Sequence, residues 1–234
     1  MFDLVTHPVS SRWPAQHPER LQLYSFPTPN GVKASIMLEE TGLPYEAHRV
    51  TLSDADVKSE AFLSLNPNNK IPAIIDPDGP GGKSLGLFET GAILIYLAEK
   101  TGLFLSSDPA EKYETIQWLM WQMGGVGPMF GQFGFFYAFG GKDIEDPRPR
   151  DRYIGESKRL LGVLDKRLAG RDFIMGEAYT IADIAVWPWV RGLSSAYKAD
   201  DVLELGSFEN VVRWRAACLS RPASEKAINI PART

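Results

Sequence analysis

At 234 residues, 44% hydrophobic and 23% charged, the chain has the composition of an ordinary folded protein and not of a disordered, fibrous or repetitive one. A net charge of −4 argues against a general nucleic-acid binder, which needs a phosphate-neutralising excess of Lys and Arg. One cysteine, Cys218, excludes an internal disulfide; with no signal pattern in the first twenty residues and no run of ~18 apolar residues, a cytoplasmic protein without membrane or nucleic-acid partners is expected.

Residues 1–20 carry Pro8, Pro14 and Pro18 among polar side chains, a pattern that should hold neither a regular helix nor a central strand. They are expected to form an extended arm that either covers a partner subunit or trails into solvent. Leu21 to Phe26 alternates as a strand and is broken by Pro27-Thr28-Pro29-Asn30-Gly31. A helix follows through Val32, Ile36, Leu38 and Leu43, with Gly42 as its stop before Pro44. Tyr45 to Leu52 reads as a second strand and Lys58 to Leu65 as a short helix. Strands at Ile71 to Ile75 and Ser84 to Phe88 flank the turn residues Asp78-Gly79-Pro80-Gly81-Gly82, and Thr90 to Lys100 is a helix. This order makes residues 21–104 one α/β domain, a parallel βαβ unit followed by an antiparallel hairpin.

Beyond Leu105-Ser106-Ser107-Asp108-Pro109 no comparable strand pattern appears, so residues 110–234 are expected to be all-helical. Helices are predicted over 111–123, over 150–168 with the stripe Ile154, Leu160, Leu161, Leu164 and Leu168, and over 208–219. Thr180-Ile181-Ala182-Asp183 has the form of a capping box, in which hydroxyl and carboxylate satisfy the first amides of a helix.

Taken together, Pro27 to Gly31, Asn66-Pro67-Asn68-Asn69-Lys70-Ile71-Pro72-Ala73, Leu87 to Leu94 and Gln117 to Gly125 resemble the soluble glutathione transferases. Within them the likeness is to the bacterial Nu class, some of whose members are glutathione-dependent disulfide-bond reductases. The resemblance covers nearly the whole chain beyond residue 20. It implies a thioredoxin-like N-terminal domain (βαβαββα) joined to an all-α domain, a homodimer, and glutathione as cosubstrate. Alternatives of other classes are glutathione conjugation or peroxide reduction, and a non-catalytic binding module of the same fold.

The turn that carries Cys-x-x-Cys in a thioredoxin reads Thr28-Pro29-Asn30 here, so no protein dithiol is available and the thiol must be borrowed. A free thiol has a pKa near ~8.5, and lowering it by about two units takes only ~2.7 kcal/mol, within reach of a few hydrogen-bond donors. The resemblance makes Thr28 and Asn30 those donors, although by themselves both residues are also common in turns and caps. It further implies that Pro72 is cis, so that the Ile71 main chain pairs with the cysteinyl unit. Glu89 and Thr90 would hold the γ-glutamyl ammonium and carboxylate, Lys70 the glycyl carboxylate, and Arg152 would reach glutathione across a dimer interface. Without the resemblance, Pro72 reads as a trans proline at a strand start, Thr90 as a cap and Lys70 as a solvated charge.

The glycine-punctuated aromatic run from Gly127 to Tyr137 places Phe133, Phe135, Phe136 and Tyr137 as a second-substrate pocket or as packing. Relatives of the class often have Asn-His-His-Phe where this chain has Phe133-Gly134-Phe135-Phe136, and a Gln near Val57. His7, His17 and His48 lack ligand-like spacing, so no metal is expected, and Cys218 reads as a small buried thiol.

Overall fold

Four strands, β1 (Leu21–Ser25), β2 (Tyr45–Arg49), β3 (Ala73–Asp76) and β4 (Leu85–Phe88), form one sheet in the order β2-β1-β3-β4. The structure is a computed structural model that describes Leu4 and residues 6–232. Residues 1–3, 5, 233 and 234, which fall in the expected arm and helical domain, lie outside the described residues. The chain divides into two compact units at Thr101/Gly102 and again at Arg221/Pro222.

In the first unit β2 runs parallel to β1, whereas β3 is antiparallel to both β1 and β4. The parallel pair requires a long crossover, supplied by α2 (Pro29–Thr41), while the antiparallel pair needs only a turn. Thr28 caps α2, Pro29 takes the first helical position where its missing N–H is harmless, and Gly42 closes it at φ +67°. The expected helix over 58–65 is the single turn α4 (Glu60–Leu63), and a second single turn, α3 (Asp54–Val57), precedes it. Ser59 separates them, because its extended backbone and its Oγ bond from the Phe62 amide start a new helix. With α5 (Thr90–Thr101) the order is that of a thioredoxin-like unit. Tyr24, Ala73 and Ile75 face one side of the sheet with Phe62 and Leu65. Leu23 and Ile74, one register away, face the side of α2 and α5, which pack on each other.

The arm is not extended. Its described residues form α1 (Pro8–Arg12), started by His7 as N-cap with Pro8 at the first position, where proline favours a helix. This helix lies on α4, and Leu4, Val9 and Trp13 join the core that contains Tyr24 and Phe62. Trp13 donates its indole N–H to Arg49 O (2.9 Å), and the Gln16 and His17 amides bond the Glu46 carboxylate. The described arm therefore belongs to its own chain's core, which neither of the two expected destinations allowed for. At the other end α11 (Pro222–Ala227) packs on α2, with Ser35 Oγ donating to Ile230 O (3.0 Å) and Lys226 paired to Glu39 (2.8 Å). The segment from Pro222 thus sits with the sheet unit, although it was expected within the helical domain.

The second unit is built from α6 (Pro109–Trp121), α7 (Gly127–Ala138), α8 (Arg148–Leu168), α9 (Ile181–Ser195) and α10 (Glu209–Leu219). Its centre is α9, buried along most of its length and started by the expected capping box between Thr180 and Asp183. The Asp183 carboxylate also accepts the Ile174 amide (2.9 Å) and the Trp214 indole N–H (2.8 Å). No helix was foreseen over α7. It follows a π-helical turn at Gln122–Val126, and Gly134 is steric: a Cβ there would lie 2.4 Å from the Tyr197 ring. Cys218 is fully buried in α10, and no helix among the described residues is long and apolar enough to cross a membrane.

Candidate active site

Two helix starts and one loop in the sheet unit bring most of the expected glutathione residues together. At the start of α2, Thr28 Oγ1 accepts the Gly31 amide (3.2 Å). A hydroxyl has one proton and two lone pairs, so capping uses only acceptor capacity and leaves the O–H able to donate. Cap and catalytic donor are therefore compatible roles for Thr28. Asn30 is half-buried on the first turn of the same helix. Gly31 is required directly after Asn30, because a Cβ there would stand 1.9 Å from the Phe26 carbonyl oxygen.

The loop that enters β3 is ordered by Asn66, a buried side chain. Its Oδ1 accepts the Asn68 amide (2.9 Å), its Nδ2 donates to Lys70 O (2.6 Å), and Asn69 takes φ +51°. The Ile71–Pro72 peptide is cis and leads into β3 at Ala73; among the described residues no turn or loop hydrogen bond is made to the Ile71 main chain. Lys70 is exposed.

At the start of α5, Glu89 has φ +69°, a left-handed conformation uncommon outside glycine. It exposes its side chain and leaves the buried Thr90 to open the helix. Behind Thr90 lies Lys33, 1% exposed, with Nζ 3.3 Å from Thr90 Oγ1. Burial pushes the Lys33 amine well below its ordinary value, and the Glu89 carboxylate opposes that shift. Neither Lys33 nor Asn66 was singled out from the sequence. Lys33 was legible, since it shares a helical face with Ile36 and Met37, where a solvated lysine has no place.

The remaining expected residues are in the helical unit. Arg152 is exposed in the first turns of α8. Phe133 is fully buried, stacked on Tyr137 (5.0 Å between centroids) and edge-on to Tyr197 (6.1 Å). That side chain is core and offers no surface to a substrate, a correction to its expected place in a pocket wall. Phe135 keeps 46% of its surface exposed, and Phe136 stacks on Tyr153 at 5.6 Å. Among the described residues no group of three or more His, Cys, Asp or Glu is arranged to hold a metal.

Residues 19–99 match the family model for the glutathione S-transferase N-terminal domain, and residues 147–217 that for the C-terminal domain. The disulfide-bond oxidoreductase YfcG of Escherichia coli is 45% identical over 209 residues, covering 89% of this chain and 94% of its own. The chain belongs to the glutathione S-transferase family. A second E. coli relative, the disulfide-bond oxidoreductase YghU, is 44% identical over 90% of this chain and 74% of its own. Among solved structures, a glutathione transferase from Burkholderia graminis with two glutathione molecules bound per subunit is 61% identical. It superposes with a TM-score of 0.97 and covers 100% of this family member and 98% of its own chain. One from Pseudomonas putida with one glutathione disulfide bound per subunit is 60% identical, with a TM-score of 0.96 and coverage of 98% and 100%.

Proposed function

We propose that this glutathione transferase is an enzyme that reduces disulfides with glutathione. The observation that carries the reading is the Thr28 hydroxyl at the start of α2, already an acceptor for Gly31 and so left to donate, in a chain whose only cysteine is fully buried. A glutathione thiolate held there by Thr28 and Asn30, with the helix start adding positive dipole density, is the attacking sulfur. It attacks one sulfur of a substrate disulfide, forming a mixed disulfide and releasing the other half as thiolate. A second glutathione thiolate then attacks the glutathione sulfur of the mixed disulfide, giving glutathione disulfide and the second substrate thiolate. Two glutathiones supply the two electrons. Relatives with two glutathiones in one subunit, and with glutathione disulfide in one, support a site able to hold both sulfurs of this exchange. The E. coli relatives YfcG and YghU, both disulfide-bond oxidoreductases, support the reaction class.

In this reading Ile71, beside cis Pro72, pairs with the cysteinyl unit, Glu89 and Thr90 hold the γ-glutamyl end, and Lys70 meets the glycyl carboxylate. Phe135, Phe136 and Tyr137 face the second substrate, and Arg152 completes the site in a cytoplasmic homodimer. The test is turnover of a small model disulfide. Thr28→Ala with Asn30→Ala should lower kcat/KM by about 100-fold, the loss expected for two charge-assisted donors; unchanged turnover would sink the assignment. Cys218→Ala should keep full activity, and its inactivity would move the chemistry to the protein's own sulfur.

A further inference from the structure

Lys33 is buried in the sheet unit at a position that packing alone does not explain. An ammonium is costly to bury, and an apolar side chain on the face shared with Ile36 and Met37 would avoid its desolvation. Its Nζ lies 3.3 Å from Thr90 Oγ1, and it shares the local field with Glu89, the residue held at positive φ just before α5. We propose that Lys33 is a positioning residue for the γ-glutamyl α-carboxylate of glutathione, acting through the Thr90 hydroxyl. The inference rests on the reading of Glu89 and Thr90 given above.

The chemistry is directional. An ammonium has three donors and no acceptor, so in its bond with Lys33 the Thr90 oxygen is the acceptor, and its own proton is turned away from α2. A carboxylate that accepts that proton and the amides at the start of α5 then lies within about 4–6 Å of a charge that is almost fully buried. Glu89 opposes the loss of the Lys33 proton, and a bound carboxylate acts in the same sense. Asn30, on the same helix one turn before Lys33, belongs to the thiol end, so α2 would address both ends of the tripeptide.

Calorimetric titration with glutathione and with 4-aminobutyryl-Cys-Gly, which keeps the amine and lacks the α-carboxylate, tests this. Wild type should bind the analogue about 100-fold more weakly than glutathione, whereas Lys33→Met should weaken glutathione about tenfold and leave the analogue unchanged. In turnover the same variant should raise KM for glutathione and hold kcat within about twofold at saturation. Lys33→Gln, which keeps an N–H donor without the charge, should fall between the two and serves if Lys33→Met does not fold. Equal weakening of both ligands, or no weakening of either, overturns the proposal. If wild type binds neither ligand at millimolar concentration, the glutathione reading of the site itself is wrong, and the proposal falls with it.

Discussion

Asp183 shows how much one side chain can hold. It is fully buried and takes bonds from the Ile174 and Thr180 amides, the Thr180 hydroxyl and the Trp214 indole. Asp183→Ala orphans several buried donors at ~1–3 kcal/mol each, so a loss of about 3–5 kcal/mol is expected in urea denaturation. Burial pushes the Asp183 carboxyl up to about 6 from 3.8, even against those bonds. The folded protein therefore binds more protons than the unfolded chain between these values. The stability this group lends is complete below the unfolded value and is lost as pH rises through about 6. Compared with Asp183→Asn, wild type should lose stability between about pH 4 and pH 6, and parallel pH profiles would contradict the assignment.

At the scale of elements, the arm is a strap closed by two carboxylates. Burial alone would raise Glu46 and Asp56. The Gln16 and His17 amides outweigh it for Glu46, and Thr51 and Arg12 do so for Asp56, so both lie below their ordinary values of 4.5 and 3.8. Depressed acids stabilise above those values, and the contribution disappears as pH falls below them. Amide protection over 8–17 should therefore drop below about pH 4, before the central strands open. Glu46→Gln with Asp56→Asn should show the loosened arm already at neutral pH; full protection in that variant would mean the apolar contacts of Val9 and Trp13 suffice. These elements also show what the sequence makes legible. Strands and α2 were readable from alternation, Thr28 and Gly42. By contrast α1 was hidden, because three prolines outweighed Val9 and Trp13, and α7 was hidden because its glycines look like breakers. Only the position of Tyr197 shows that Gly134 is a contact requirement, and that position is tertiary information. The proposed site followed the same rule: the candidates Thr28, Ile71, Glu89 and Thr90 stand in local motifs, whereas the contact of Lys33 is with a residue fifty-seven positions away.

For the molecule as a whole, the sheet unit is made from two stretches of chain separated by the entire helical unit. A protein ending at Arg221 would keep every strand and every proposed glutathione contact yet leave the α2 face that receives α11 bare. Its sheet unit should melt several degrees lower, and glutathione affinity should fall with it; equal melting would show that α11 is only a tail. The Ser35 to Ile230 bond closes a loop of 195 positions, whose entropy cost grows only with the logarithm of its length. Thermodynamically the detour is cheap. During synthesis it is not neutral, because at roughly 5–20 residues per second the last piece of the sheet unit emerges about 6–24 s after Thr101. The sheet unit thus waits, one surface open, while the whole helical unit is made, and its completion is timed by the arrival of Pro222 and not by its own boundary at Thr101.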